Sequence, residues 1–520
     1  MSEPRAEGSL TVEGFWGFAD GHRDVVAVIE DDGSATTFGD LLDLANRLGN
    51  AVQTEVPPGS DVAILTSNSA MTLGLLLGLS QVGVNHTMVN RHLSVSEISY
   101  ILRDSDPRLV FVDERTVDLA KAAIAVAGFP STVLRCAQSG CGVVSLDEWL
   151  QGHSAEPPLN RTYGPPMLYT SGTSGRPKGV RLRAGENPDE LVAARAATLL
   201  GRFGIDPAAH VGSGVHIVAA PLYHAAPMYN ALIALDLGHQ VVIMSRFEPQ
   251  RFLELVDRYR VTWTQVVPTM MKRLVDLPSQ LRERYDTSSL RWVLHAAAPC
   301  PTDVKYRTIE WLGPVVWEYY SSTEGGGTVI GSEDWLSHPG SVGRPWPGAD
   351  IKIFRPGGEL ASPDEIGDIY FLENRPFVYH NDPEKTSESR RCGYATAGDL
   401  GWLDKDGYLY IADRRTDLVI SGGVNVYPAQ IEDALSAHPD VADVGVVGCP
   451  DADMGQVIHA VVQPRYPGSS PTILEASLRE FAAARLSSTA RPRTYEFRHE
   501  LPRNAAGKLL RRVLREQFVE

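Results

Sequence analysis

The chain has 520 residues, 43% of them hydrophobic and 22% charged, and a formal net charge of −16. That length suits two to four units with substantial cores, and the acidic balance excludes general affinity for nucleic acid, so a polyanionic ligand needs a local basic site. Five cysteines (Cys136, Cys141, Cys300, Cys392 and Cys449) are few and odd in number, so Cys136 and Cys141 are expected as ordinary thiols and a reducing, cytoplasmic setting as the default.

The first ten residues carry acidic side chains and no apolar run, which is not a signal-peptide pattern. "MTLGLLLGLSQVGV" (71–84) is too short to cross a bilayer and is expected as a buried helix. From about residue 60 to 320 short apolar runs read as buried strands: "DVAILTS" (61–67), "LVFVD" (109–113), "VHIVAAP" (215–221), "QVVIMS" (240–245), "TWTQVVP" (262–268), "RWVLHAA" (291–297) and "VVWEYY" (315–320). Amphipathic stretches such as "PQRFLELVDRYRV" (249–261) lie between them. Such alternation predicts an α/β protein with parallel-type sheets. After residue 345 the short alternating strands "ADIKIF", "GDIYFL" and "YLYIADR" predict a small β-rich, barrel-like subdomain. Beyond the charged connector "DRRTD" (413–417) come a Gly-Gly hairpin, a helix (429–438), strands at 444–447 and 457–462, a helix (472–486), a further strand and a basic tail. These divide the chain into an N-terminal domain, 1–415, with two parallel-type sheets, and a small α+β C-terminal domain, 417–520.

The stretch "LYTSGTSGRPKGV" (168–180) poses a chemical question. Gly172 and Gly175 allow positive φ and close backbone approach. Consecutive free N–H groups in such a loop form an anion-binding nest. Thr170, Ser171, Thr173 and Ser174 add hydroxyl donors and Lys178 adds charge, which suits phosphates. The spacing G-x-x-G-x-x-K-G is not that of a Walker loop. A flexible linker is the competing reading of this composition.

Other stretches decide between the two. "YTSGTSGRPKGV" resembles the phosphate signature of the adenylate-forming superfamily, which includes acyl-CoA synthetases, luciferases and peptide-synthetase adenylation domains. "YSSTE" (320–324), "AGDLGWLD" (397–404), "DRRTDLVISGGVNVYPAQIE" (413–432) and "PRNAAGKLLRR" (502–512) resemble its later motifs, in family order. The resemblance implies that Thr170, Ser171, Gly172, Thr173, Ser174, Gly175 and Lys178 embrace ATP phosphates. It implies that Tyr320 stacks on adenine, beside Ser321, Ser322 and the small-residue wall Ala297, Ala298 and Pro299. Thr323 corresponds to a phosphate contact, Glu324 to the Mg²⁺ carboxylate, Asp399 with Arg414 to the ribose site, and Lys508 to the lysine reaching the α-phosphate. His224 in "PLYHAAP" corresponds to a position between acyl and thiol pockets, and Ser421, Gly422 and Gly423 to the hairpin that a pantetheine arm passes. Each has a structural alternative: Tyr320 as a core aromatic, Asp399 as a turn cap, Glu324 and Lys508 as solvated charges, and His224 as a satisfied buried histidine.

The sequence departs from the family pattern at Ser321 (usually Gly), Ala397 (usually Thr), the stretch after Val180, and Thr416, where a charged hinge residue is usual. The implied reaction has two halves: a carboxylate attacks the α-phosphate of Mg·ATP, and the thiol of coenzyme A then displaces AMP. The C-terminal domain is expected to turn about 413–417 between them. Arg503, Arg511, Arg512 and Arg515 read either as a solvated helix face or as contacts for coenzyme A phosphates. Glycines 325–327 after "STE", with "HAAAP" (295–299), are expected to floor a roomy pocket for a bulky apolar acid: fatty, aromatic or steroid side-chain. Loading of a carrier-protein thiol and a non-catalytic ATP sensor are the alternatives. No transmembrane segment or nucleic-acid partner is expected, and a homodimer is left open.

Overall fold

The computed structural model describes residues 12–129, 133–138, 140–170, 177–182, 187–190, 195, 200–322, 324–373, 376–451, 453–504 and 507–518. The chain divides into two compact units. One comprises Met1–Gln265, Pro278–Leu294 and Arg375–Glu388, the other Val266–Leu277, His295–Asn374 and Ser389–Glu520.

In the first unit a seven-stranded sheet runs in the order Phe377–Tyr379, Lys178–Leu182, Pro166–Thr170, Asn85–Met88, Asp61–Leu65, Leu109–Val112, Val133–Cys136. The last five pair in parallel, as the uninterrupted apolar runs require, and the first two are antiparallel additions. A second set of parallel strands places Val215–Val218 between Gln240–Ile243 and Trp263–Val266, with Val26–Ile29 beyond Gln240–Ile243. The apolar run after residue 70 is the helix Ala70–Ser80, with ten of its eleven residues buried. Gly74 and Gly78 explain how it sits so deep: a Cβ at either would lie 2.4 or 2.6 Å from Leu44 or Leu48 on the helix Phe38–Glu55. Among the described residues no helix is long and apolar enough to cross a membrane.

The second unit carries the β-rich part. Val316–Ser322 and Gly325–Gly331 form an antiparallel hairpin. Ile351–Phe354, Gly367–Leu372, Arg390–Arg391, Tyr394–Ala395, Asp399–Leu403 and Leu409–Arg414 form a six-stranded antiparallel sheet. A third sheet is built on the long hairpin Val441–Asp451 with Gly455–Pro464. Its two faces are both buried. Val444, Val446, Ile458 and Val462 pack with Leu435, Leu474 and Leu478 of the helices Pro428–Ser436 and Pro471–Arg485. Val447, Cys449 and Val461 on the opposite face pack with Leu501, Leu509 and Leu514 of the tail.

One expectation is overturned. Cys136 and Cys141 are joined in a disulfide. Gly140 and Gly142 take φ of +88° and +66°, and the chain turns back after the strand Val133–Cys136 until the two Cα atoms stand 6.4 Å apart. Cysteine count describes a framework and says nothing about a single local pair.

Candidate active site

The residues of the later motifs converge within the second unit. Tyr320 lies on the strand Val316–Ser322, where its ring packs 5.6 Å from Phe371 and against the cluster of Ile351, Ile353, Ile369 and Leu409. Asp399 begins its strand opposite Arg414, in register. The Tyr320 hydroxyl donates to Asp399 Oδ2 at 2.6 Å, and Arg414 Nε lies 3.3 Å from Oδ1. Burial, with the Asp399 charge adding to it, pushes the Tyr320 hydroxyl well above its ordinary pKa, so it stays a neutral donor. Asp399 is therefore not an isolated turn cap.

Lys508 reaches the same surroundings through the fold of the tail. Leu509 and Leu514 are buried under the third sheet, which fixes the chain on either side of the basic residues. A tight loop precedes Lys508: Asn504 N–H donates to Lys508 O at 2.9 Å, Lys508 N–H to Asn504 Oδ1 at 2.9 Å, and Gly507 N–H to Asn504 O at 2.8 Å. Gly507 has φ +72°, and Thr269 Oγ1 lies 2.3 Å from where a Cβ would stand, so any side chain there would be strained and would displace Thr269. The Lys508 ammonium is pushed down to about 8, first by burial and then by Arg414, against the attraction of Asp399 and Asp417. The Lys508 ammonium thus lies within electrostatic reach of the Asp399–Arg414 pair to which Tyr320 is bonded.

The glycines after Glu324 do not leave the volume expected of them. A Cβ on Gly326 would lie 2.3 Å from Phe371, and one on Gly327 2.2 Å from Trp346 and 2.3 Å from Tyr320 O. These two positions are glycine because large rings and backbone already fill the space. Gly325 alone of the three meets nothing within 4 Å. Ser321 and Ser322 tie this turn: Ser321 Oγ donates to Gly326 O at 2.9 Å and Ser322 Oγ to Gly325 O at 3.1 Å. A glycine at 321 could not make the first bond. Glu324 acts electrostatically on Tyr320, and Thr323 lies outside the described residues. In the small-residue wall Ala297 takes φ +79°, and Ala297 and Pro299 are exposed while Ala298 is half-buried. Left-handed alanine is strained, a condition that clusters at functional sites.

The hairpin Val419–Ser421 with Val424–Val426 presents Gly422 and Gly423 at its tip, with φ of +56° and +78°, and buries Ser421. A Cβ on Gly422 would lie 2.5 Å from Met454 Cε, whereas Gly423 faces open space. Arg503, Arg511 and Arg515 are shielded and ion-paired, whereas Arg512 sits on an exposed helix face. Arg503 pairs with Asp443 at 2.7 Å, Arg511 with Glu432 at 2.6 Å and Asp417 at 3.1 Å, Arg515 with Asp417 at 2.6 Å, and Arg512 with Glu516 at 2.6 Å. Burial pushes Glu432 up to about 7 despite Arg511.

In the first unit Lys178 opens the strand Lys178–Leu182, paired across from Thr170. Ser171, Gly172, Thr173, Ser174 and Gly175 lie outside the described residues. Lys178 Nζ lies 3.0 Å from Asp382 Oδ2. Sequence reasoning missed Asp382, although "NDPEKT" (381–386) carries the Asp-Pro signal of a helix start. His224 precedes the helix Ala225–Asp236, 4.6 Å from the Tyr223 ring. Burial lowers its pKa to about 4, and its buried Nε2 has no hydrogen-bond partner among the described residues. It is a neutral imidazole at pH 7, and not a satisfied one.

Residues 15–375 match the AMP-binding enzyme family and residues 430–508 the AMP-binding enzyme C-terminal domain. The chain is 30% identical to fatty acid–[acyl-carrier-protein] ligase ScoC of Streptomyces coeruleorubidus, over 96% of this chain and 94% of the relative. It is 33% identical to a 2-succinylbenzoate–CoA ligase of Geobacillus kaustophilus (strain HTA426), over 94% of each. Among solved structures, ATP-bound MatB from Rhodopseudomonas palustris superposes with a TM-score of 0.82 at 28% identity, over 98% of this chain and 99% of that one. A match across both the main and the C-terminal family models leaves one conclusion: the chain belongs to the AMP-binding enzyme family.

Proposed function

We propose that the protein is an AMP-forming acid–thiol ligase that activates a bulky apolar carboxylic acid with ATP and passes the acyl group to coenzyme A. The observation that carries the reading is the Tyr320–Asp399–Arg414 cluster, with the Lys508 ammonium within its electrostatic reach in the same unit. A ribose offers two hydroxyls to a carboxylate with spare lone pairs, an adenine suits an aromatic face, and a mobile cation suits the charge that grows at the α-phosphorus. Carboxylate attack there forms the acyl–phosphate bond and releases pyrophosphate. Thiolate attack on the acyl carbon then releases AMP. No side-chain nucleophile is required for either step.

Among the described residues no three His, Cys, Asp or Glu side chains gather as a metal cage. Mg²⁺ is commonly held by one or two carboxylates and substrate phosphates, and Glu324 would hold it; when bound, it would neutralise charge on the departing pyrophosphate. Lys178 supplies a cation beside the hydroxyl-rich loop. His224, neutral and with an unpaired Nε2, suits the wall of an acyl or thiol pocket. The open space at Gly325 supports a sizeable acid, though through that one position rather than all three glycines.

A carrier-protein thiol is the second reading for the acceptor, favoured by the activity named for the Streptomyces relative. Pyrophosphate release over a panel of short, long-chain, aromatic and steroid acids tests both, with no acceptor, with coenzyme A, or with a phosphopantetheinylated carrier protein. Coenzyme A-stimulated turnover on apolar acids is the expected result. Turnover only with the carrier selects the second reading. ATP binding without acid-dependent pyrophosphate release would leave a sensor.

A further inference from the structure

We propose that Lys385 is a second cation for the terminal phosphates of the nucleotide, acting beside Lys178. This rests on the ATP-dependent reading above and extends the phosphate site to a residue that no sequence motif singled out.

The placement follows from how the segment 377–388 folds. Phe377–Tyr379 pairs antiparallel with Lys178–Leu182, so Tyr379 lies opposite Val180. Asp382 and Pro383 then begin the short helix Pro383–Glu388. Asp382 Oδ1 accepts the Lys385 N–H at 3.0 Å, Asp382 O accepts the Thr386 hydroxyl at 2.8 Å, and Thr386 Oγ1 accepts the Tyr379 N–H at 3.0 Å. The turn is therefore held at three points. Its other carboxylate oxygen, Oδ2, takes Lys178 Nζ at 3.0 Å. One carboxylate is both the cap of the helix and the counter-ion of the loop lysine.

Both ammonium groups lie over the same ring as a result. Lys178 Nζ stands 5.9 Å and Lys385 Nζ 5.7 Å from the centroid of the same Tyr379 ring. An ordinary lysine on a surface helix directs its ammonium into water. Lys385 is instead partly desolvated, and its pKa is lowered first by that desolvation and then by Lys178, with Asp382 and Glu388 only partly offsetting them. A multiply charged anion would favour two neighbouring ammonium groups beyond what the one Asp382 carboxylate provides. A triphosphate tail carries that charge on adjacent phosphates, a spacing two neighbouring lysines can share. On binding, Lys178 would exchange Asp382 for phosphate oxygen, and Lys385 would supply the second contact.

Isothermal titration of the full-length protein with MgATP, with AMP and with inorganic pyrophosphate tests this, using wild type, Lys385→Met, Lys385→Arg and, for comparison, Lys178→Met. Lys385→Met should weaken ATP and pyrophosphate about tenfold, the loss of one charged hydrogen bond, and leave AMP unchanged. Lys385→Arg should recover most of the loss, and the melting temperature should hold in all variants. Unchanged ATP and pyrophosphate affinity in Lys385→Met, or an equal loss of ATP and AMP affinity, overturns this inference alone. Wild-type protein that binds neither ATP nor AMP overturns the nucleotide reading and this inference with it.

Discussion

The hydroxyl of Tyr320 donates to the Asp399 carboxylate at 2.6 Å, joining an aromatic on one strand to the first residue of another 79 positions later. Both groups are polar and shielded, so the bond orients the carboxylate as well as stabilising it. Tyr320→Phe should raise KM for ATP about tenfold while leaving KM for the acid near wild type. Loss of a hydrogen bond to a charged group should lower stability by about 1.5–3 kcal/mol. Steady-state kinetics with each substrate varied in turn, together with a denaturant titration, checks both parts. An acid-specific KM effect would remove Tyr320 from the nucleotide site.

The glycines after Glu324 should separate by environment. Gly326→Ala must displace Phe371 from a position 2.3 Å away as well as hold φ +69°. Overpacking and left-handed strain each cost about 1–3 kcal/mol, so this variant should melt much lower than wild type. Gly325→Ala meets no neighbour and carries only the strain of φ +116°. It should lose less stability and shift preference toward smaller acids. Thermal melts and kcat/KM over an acid series check the order. Equal melting losses, with no change of preference at 325, would remove Gly325 from the acyl pocket.

Much of this was legible in the sequence because local pattern and chemistry coincide there. The parallel strands declare themselves as apolar runs, the helix at 70–80 by being apolar all round, and Tyr320, Asp399 and Lys508 by lying in motifs that resemble a family. Relations between distant segments were not legible. Nothing in "GGG" says that Phe371 and Trp346 fill two of the three positions. Nothing in the basic tail says that Arg511 meets Glu432 and Asp417. A pair of cysteines five apart looks like two thiols until the turn between them is seen to close. In each case the missing information is which side chain arrives from elsewhere in the chain.

The arginine cluster has a stability consequence. Arg511 faces Glu432, Asp417 and, at 3.7 Å, Asp413, with little exposure of any member. Arg511→Met leaves three shielded carboxylates without their cation and should destabilise by about 3–5 kcal/mol. Glu432 adds a pH dependence. Burial raises its folded-state value to about 7, above roughly 4.3 in the unfolded chain. The linked stability is therefore fully present below about pH 4 and is lost as pH rises through about 7. Glu432→Gln should flatten the decline between pH 5 and pH 8. Urea midpoints at those two pH values check this, and an undiminished decline would assign it to other groups.

Lys508 should also give the adenylation step an alkaline limb. With its ammonium pushed down to about 8, the charge is present below that value and lost above it. The kcat/KM profile reports the free enzyme, so pyrophosphate release per unit of acid should fall as pH passes about 8, and Lys508→Arg should carry the fall to higher pH. A profile flat to pH 10 in the wild type would mean that this charge is not used.

The decisive measurement separates the two half-reactions in two variants. Lys508→Ala should lose pyrophosphate release by several orders of magnitude, since removing a preorganised charge at a developing anion raises the barrier by about 3–4 kcal/mol or more. Given synthetic acyl-adenylate and coenzyme A, the same variant should still form thioester. Gly423→Trp, which places an indole in the open space at the hairpin tip, should release one equivalent of pyrophosphate, accumulate bound acyl-adenylate and fail to form thioester. If both folded variants lose both half-reactions to the same degree, Lys508 and the hairpin do not divide the chemistry between them.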